Sequence, residues 1–400
     1  MSTITTTEPT TTEYDIETAV LERYKAGAKE VEQTLCCPTE YEGNYIDNLP
    51  QEIVEKDYGC GDPTRYVAKG ETVVDLGSGA GKNCYIIAQK VGPEGLAIGV
   101  DFNDEMLSLA RKYQEEMGAK LGYQNTSFVK GKIQDLSLDL DLLNDWLKAN
   151  PVNSIDGIAA LEIESDRLRK QQPLIADNSV DVVISNCVLN LVRPQDKKQL
   201  FREIHRVLKR GGRAVISDIV CDEEPTKKIL NDPALWSGCI AGAFREDEFL
   251  AMFEDAGFYG IEILVRQEQT WQVIDGIEFR SLTVRAYKGK EGPCLERNQA
   301  VIYKGPWKGV IDDEGHILHR GQRMAVCDKT FNIYTNENSP YREDLLAVEP
   351  IEEIPLESAG VFECDRSQVR HPRETKGADY RVNIDNSNES CCGPASESCC

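Results

Sequence analysis

The stretch Val73-Val74-Asp75-Leu76-Gly77-Ser78-Gly79-Ala80-Gly81-Lys82-Asn83 decides the fold. Two β-branched residues and a leucine read as a buried strand, and three alternating glycines follow at once. Beyond them Cys84, Ile87, Ala88 and Val91 recur at helical spacing on one face, until Gly92-Pro93 stops the helix. A second apolar run, Leu96 to Val100, then delivers Asp101 about 20 residues beyond the loop. Strand, glycine turn, helix, strand and acid form a nucleotide-binding βαβ unit. Glycine lets the backbone approach a ligand where a Cβ would collide, and a carboxylate at the second strand's tip can accept both ribose hydroxyls.

The glycine spacing narrows the ligand. A dinucleotide site places its glycines as G-x-G-x-x-G, with the pyrophosphate on the helix N-terminus. Here the third glycine comes one residue early, and G-x-G-x-G resembles the first motif of class I S-adenosylmethionine-dependent methyltransferases. The expected fold is therefore α/β, a Rossmann-like doubly wound sheet of the class I methyltransferase type.

Composition limits the partners and the compartment. The net charge is −23, and the acidic residues are spread through the chain. Such a surface repels phosphate backbones, so nucleic acid is not an expected partner. No stretch approaches the roughly 18 consecutive apolar residues of a membrane span, and the N-terminus lacks a secretory pattern, so a cytoplasmic protein is expected. Fourteen cysteines then need an explanation. Length and compartment disfavour a disulfide scaffold, and no C-x-x-C occurs to suggest a zinc ribbon. Instead Cys36-Cys37, Cys391-Cys392 and Cys399-Cys400 are adjacent pairs, an arrangement that suits a soft, thiophilic ion or metalloid. The histidines number four, and none reads as a catalytic base or metal ligand; His316 and His319, three apart in a strand-like stretch, would face opposite sides.

In chain order, residues 1–14 read as a disordered Ser/Thr/Glu-rich leader. A helix from Ile16 to about Leu35 ends at Cys36-Cys37-Pro38, and a short helix at Gln51–Lys56 leads into the loop Tyr58-Gly59-Cys60-Gly61. Asn103 caps a helix carrying Met106, Ala110, Tyr113 and Met117, and Thr126 to Ile133 is the third strand with Gln134 in the loop at its tip. Residues 136–176 read as an inserted helix and loop placed to cover the site. Val180 to Ile184 forms the fourth strand and runs into Ser185-Asn186-Cys187-Val188. In a sheet ordered 3-2-1-4-5, strands one and four meet at the topological switch point, so topology sets Asn186 and Cys187 beside the glycine loop. A helix from Gln195 to Lys209, capped by Gly211-Gly212, precedes a fifth strand at Arg213–Val220. After it comes Trp236-Ser237-Gly238-Cys239, at the same end of the sheet. A helix closed by Gly257 and an antiparallel pair, Ile261–Gln272 with Phe279–Tyr287, complete the domain at 15–288. A small β-rich domain at 289–372 and a disordered cysteine-rich tail at 373–400 follow.

These blocks together resemble the arsenite methyltransferases. Tyr58-Gly59-Cys60-Gly61, Asp75-Leu76-Gly77-Ser78-Gly79, Ser185-Asn186-Cys187-Val188-Leu189-Asn190-Leu191-Val192 and Gly238-Cys239 with Gly242-Ala243 stand in the family's order. The match covers about residues 36 to 288. By this resemblance Cys60, Cys187 and Cys239 bind trivalent arsenic, and a fourth cysteine near the N-terminus pairs with Cys60; here that place holds both Cys36 and Cys37. The resemblance implies S-adenosylmethionine as cofactor. Its expected contacts are Tyr58, Gly59, Asp75, Gly77, Ser78, Gly79, Asp101, Phe102, Ile133, Gln134 and Asn186. Gln134 stands where the family usually has an acid. Arsenite, methylarsenite and a thiol reductant such as glutathione or thioredoxin are the implied partners.

The chemistry suits a cysteine-rich, histidine-poor chain. Trivalent arsenic is soft and pyramidal, and three thiolates leave it a lone pair that can take a methyl group without a general base. A sulfonium nearby should bias the cysteines toward thiolate. A methyltransferase for a small organic thiol would need one acceptor pocket rather than three convergent thiols, and another metalloid is the remaining alternative substrate. A sequestering protein on a vestigial fold would have no use for intact Gly77, Gly79, Gly81 and Asp101.

Overall fold

The computed structural model describes residues 13–28, 30, 41–56, 58–364, 368–377 and 380. It divides into two compact units, Met1–Lys290 and Glu291–Cys400. Cys36, Cys37, the first twelve residues and the four tail cysteines lie outside the described residues.

The first unit begins with α1 (Glu13–Gly27), α2 (Gln51–Glu55), β1 (Thr72–Leu76), α3 (Lys82–Val91), β2 (Leu96–Asp101), α4 (Asp104–Lys112), α5 (Gln114–Leu121) and β3 (Thr126–Lys130). It continues through α6 (Leu140–Ala149), α7 (Ile155–Gln171), β4 (Val180–Asn186), α8 (Pro194–Val207), β5 (Leu208–Cys221), α9 (Lys227–Leu230), α10 (Pro233–Ser237) and β6 (Phe244–Arg245). It ends with α11 (Glu246–Asp255), β7 (Tyr259–Arg266), β8 (Gln272–Ile274) and β9 (Ile277–Tyr287). The main path of the sheet is β3-β2-β1-β4-β5-β9-β7, with β6 beside β5 and β8 beside β9. β1 to β5 are parallel, and β9 runs antiparallel to β5 and β7.

Alternation along the strands explains why both faces are covered. Val73 joins a core of Tyr85, Ile87 and Met106, while Val74 joins Phe201, Ile204 and Phe253 on the opposite face. Leu76 pairs with Val100 on one side and Ser185 on the other, so three strands finish at one edge, where the ligand site is built.

Several expectations need correcting. α1 ends at Gly27, well short of Leu35. The helix capped by Asn103 breaks at Tyr113, whose φ of −98° and ψ of 1° leave the α region, so two helices replace one. Gly211-Gly212 does not cap α8; both glycines lie within β5. Val180 pairs with Leu208 but Val182 with Arg213, so the glycines fill a bulge that is held by hydrogen bonds to Lys288. Residues 136–176 contain two helices, α6 and α7, and none of them lines the ligand cavity.

The second unit contains β10 (Leu295–Glu296), β11 (Ala300–Tyr303), β12 (Gly309–Ile311), β13 (Ile317–His319), β14 (Arg323–Ala325), α12 (Asp328–Thr335), β15 (Leu345–Val348), β16 (Gly360–Val361) and α13 (Pro372–Lys376). Its sheets are small: β14-β11-β15, β10-β16 and β12-β13. Residues 373–377, expected to begin the disordered tail, are ordered, while most of the rest of that tail lies outside the described residues. α13 is closed by a His371–Glu374 capping box, Arg370 bridges Glu374 at 2.8 Å, and Thr375 is buried.

An aromatic cluster anchors the α8–α11 face: Phe253 is fully buried, with its ring centroid 4.9 Å from that of Phe201 and 5.5 Å from that of Phe249. Phe253→Ala should cost about 3–5 kcal/mol of unfolding free energy in the first unit. Denaturant titration checks this, and a loss below about 1 kcal/mol would show that the cluster repacks.

Candidate active site

The site assembles at the carboxyl edge of β1, β2 and β4. Gly77 and Gly79 have positive φ, of 67° and 52°. A Cβ on Gly77 would stand 2.4 Å from Val188 Cγ1, so glycine is needed both for the turn and to let the loop after β4 pack against it. Asp101 closes the turn: Oδ2 accepts from Gly79 N–H at 2.9 Å, and Oδ1 from Asn103 N–H at 2.9 Å.

A cavity opens above this edge. Tyr24, Tyr58, Gly77, Gly79, Asp101, Phe102, Asn103, Ile133, Gln134 and Cys187 all line it. Gly59, Asp75, Ser78 and Asn186, expected to touch a cofactor, are not on its wall. Asp75 is buried and accepts from the Cys84 thiol at 3.6 Å. Asn186 faces the Cys60 loop: Oδ1 accepts from Cys60 N–H at 2.9 Å and Gly61 N–H at 3.1 Å, and Nδ2 donates to Gly61 O at 2.7 Å. Gly59 packs on the same amide, where a Cβ would come within 2.5 Å of Nδ2.

That clamp draws the first of three buried thiols to the other two. Cys60, Cys187 and Cys239 share one apolar cluster with Ile219, Trp236 and Ile240. The sulfurs of Cys60 and Cys187 and a carboxylate oxygen of Asp218 lie within 4.8 Å of one another. The Cys239 thiol donates to the Cys187 carbonyl at 3.1 Å, and Asn190 Nδ2 donates to Cys239 O at 3.1 Å. Among the described residues five non-glycines have positive φ, and two of them are Cys187 (64°) and Cys239 (61°). The left-handed region costs an ordinary side chain about 1–2 kcal/mol, so the packing around both cysteines imposes their conformation.

The electrostatics favour thiol over thiolate. A hydrogen bond from Cys239 lowers the Cys187 pKa, but its hydrogen bond with Cys60 and its burial together raise it well above the usual thiol value. Cys239 is raised by its hydrogen bond with Cys187 and by burial. Burial also pushes the Asp218 carboxyl up to about 7, against its hydrogen bonds from Ile219, Leu189 and Asn190 N–H and the pull of Lys197. These directions belong to the protein without its cofactor; the bias toward thiolate is expected from a bound sulfonium.

A methyltransferase-domain family model matches residues 68–158 and 156–257, and a domain of unknown function matches residues 290–380. The arsenite methyltransferase of Aquipseudomonas alcaligenes is 31% identical over 302 residues, which cover 72% of this chain and 76% of that protein. The chain belongs to the arsenite methyltransferase family. The human arsenite methyltransferase is 29% identical over 321 residues, 77% of this chain and 75% of that one. The crystal structure of an arsenic(III) S-adenosylmethionine methyltransferase from Chlamydomonas reinhardtii covers 80% of this chain and 97% of its own, with a TM-score of 0.50 and 25% identity.

As an arsenite methyltransferase, this protein uses S-adenosylmethionine, and the cavity fits that group. Asp101 sits at the tip of β2, the glycine loop leaves open backbone, and the buried Nδ2 of Asn103 has no hydrogen-bond partner among the described residues. Sequence reasoning missed Asn103 as a wall residue because it read as a helix cap, and it missed Tyr24, whose hydroxyl lies 3.8 Å from Cys239 Sγ. It also missed Asp218, although an acid inside the apolar run Val215–Val220 was a visible signal.

Removing the Asp101 carboxylate takes away the acceptor for Gly79 as well as for a ribose. Asp101→Ala should weaken S-adenosylmethionine binding by about 2–4 kcal/mol. Calorimetry measures it directly, and an unchanged dissociation constant would place the nucleoside elsewhere.

Proposed function

We propose that Cys60, Cys187 and Cys239 hold trivalent arsenic as a tris-thiolate at the edge of the cofactor cavity, where it is methylated. The observation that carries this reading is that three buried cysteines from three separate segments share one core cluster beside the cavity that Cys187 lines: the sulfurs of Cys60 and Cys187 lie within 4.8 Å of each other, and the Cys239 thiol bonds the Cys187 carbonyl.

The raised thiol pKa values support the substrate. Inorganic arsenite brings three hydroxyl groups, and each can leave as water with the proton of one cysteine. Protonated thiols are then the right starting state, and no histidine or carboxylate has to remove a proton in advance. When bound, S-adenosylmethionine supplies an electrophilic methyl group, and arsenic held by three sulfurs keeps a lone pair to receive it. The chain's part is positional. Asn186 holds the Cys60 loop, Asp218 holds the loop after Cys187, and Asn190 ties that loop to Cys239.

We assign the cofactor's ribose to Asp101, the nucleoside wall to Phe102, Ile133 and Gln134, and a further contact to Tyr58. A carboxamide at Gln134 can donate to a base nitrogen as well as accept from an amino group. Cys36 or Cys37 is proposed as the fourth thiol, which pairs with Cys60, and a thiol reductant such as glutathione or thioredoxin as the agent that restores it. The cysteine-rich composition supports a reducing, cytoplasmic setting.

Ligand counting gives the test. Inorganic arsenite has three exchangeable positions, whereas methylarsenite has one occupied by carbon and needs two thiols. Cys60→Ser should abolish methylation of arsenite and spare much of the activity on methylarsenite; Cys187→Ser and Cys239→Ser should each abolish both. Product speciation with each substrate, on variants whose folding has been verified, decides the matter. Wild-type turnover of arsenite by Cys60→Ser would refute the three-thiolate site.

A further inference from the structure

The second unit holds a thiol cluster of its own. Cys294 precedes β10, Cys327 caps α12, and Cys364 follows β16, yet their three sulfurs lie within 4.8 Å of one another. Antiparallel pairing of β10 with β16, extended by Phe362 N–H donating to Cys294 O at 2.9 Å, brings the first and last together. Cys327 is buried and fixed from the other side, its Sγ accepting from Thr330 N–H at 3.4 Å. None of the three is in a disulfide. Cys364 is exposed, so the cluster opens to solvent on one side.

We propose that Cys294, Cys327 and Cys364 form a second binding site for trivalent arsenic, separate from the methylation site. The donor set fits the ion. Among the described residues the cluster has three members and no fourth histidine, cysteine or carboxylate. Structural zinc takes four such ligands in a tetrahedron, whereas trivalent arsenic is complete with three and keeps its lone pair. Burial and the neighbouring Cys294 push Cys364 up to about 12, and burial raises Cys327. Binding balances without an oxidant: one As(OH)3 and three thiols give one arsenic tris-thiolate and three waters. The choice of arsenic rests on the activity proposed above; the convergence of the thiols does not.

The test counts arsenic on the full-length protein. Wild type, Cys364→Ser, Cys294→Ser/Cys364→Ser and Cys187→Ser are incubated with arsenite under air-free conditions without cofactor, freed of unbound arsenic, and assayed for arsenic per chain. Because Cys364 is exposed, its replacement by serine leaves the fold intact, which thermal unfolding verifies. Cys364→Ser should weaken one arsenic equivalent by roughly tenfold or more, since a chelating arm is lost. The double variant should lose that equivalent outright, and both should methylate arsenite at the wild-type rate. Cys187→Ser should lose a different equivalent together with methylation. Unchanged arsenic stoichiometry in the double variant overturns the second site. A Cys294–Cys327 or Cys294–Cys364 disulfide in protein purified without air does so too, as does resident zinc that arsenite fails to displace. Unchanged stoichiometry in Cys187→Ser would instead overturn the methylation site, so the two readings fail separately.

Discussion

One side-chain amide holds the site together. Cys60 belongs to a loop that precedes the sheet, and nothing in the parallel topology obliges that loop to approach β4. Asn186 makes it do so, because its oxygen accepts two successive backbone N–H groups and its nitrogen donates to the carbonyl of Gly61. An amide can do this because it carries an acceptor and donors at one end of a short side chain. Ser281 Oγ adds a bond to Cys60 O at 2.6 Å from β9, so the loop is held from two strands. With the clamp in place, three thiols share one apolar cluster. Without it, two remain.

The electrostatic design follows from burial rather than from charge. A nucleophilic cysteine is usually activated by a nearby cation or a helix N-terminus, which lowers its pKa. Cys187 and Cys239 are raised instead, and Tyr24, whose hydroxyl faces the Cys239 sulfur, is itself raised by burial and by the two cysteines. A pocket of this kind suits a ligand that carries its own leaving hydroxyls, because the protons depart with them.

Much of this was legible in the residues, for identifiable reasons. The βαβ unit, the strand order and the place of Cys187 follow from local periodicity and a general topological rule, and the structure has all three. The roles of Gly59 and Asn186 were legible only as ligand contacts, since a loop clamp of this kind depends on a pairing 125 residues apart. Gly211-Gly212 misled because a glycine pair after a helix looks the same as a glycine pair in a strand bulge; the partner strand decides. The helix break at Tyr113 and the placement of α6 and α7 away from the cavity are set by packing that no local pattern encodes. The cluster of Cys294, Cys327 and Cys364 was invisible for the same reason, its members being spread over three segments with no metal-ligand spacing.

The left-handed backbone at Cys187 and Cys239 has a consequence for how this sequence can change. Glycine or asparagine would adopt those conformations at less cost, so at both positions the most comfortable residue for the fold is not the one that is there. Stability and activity are thus set against each other at single residues. A chain selected only for thermal robustness would drift toward losing these thiols, and one kept for its chemistry must carry the strain permanently and recover it in the surrounding core.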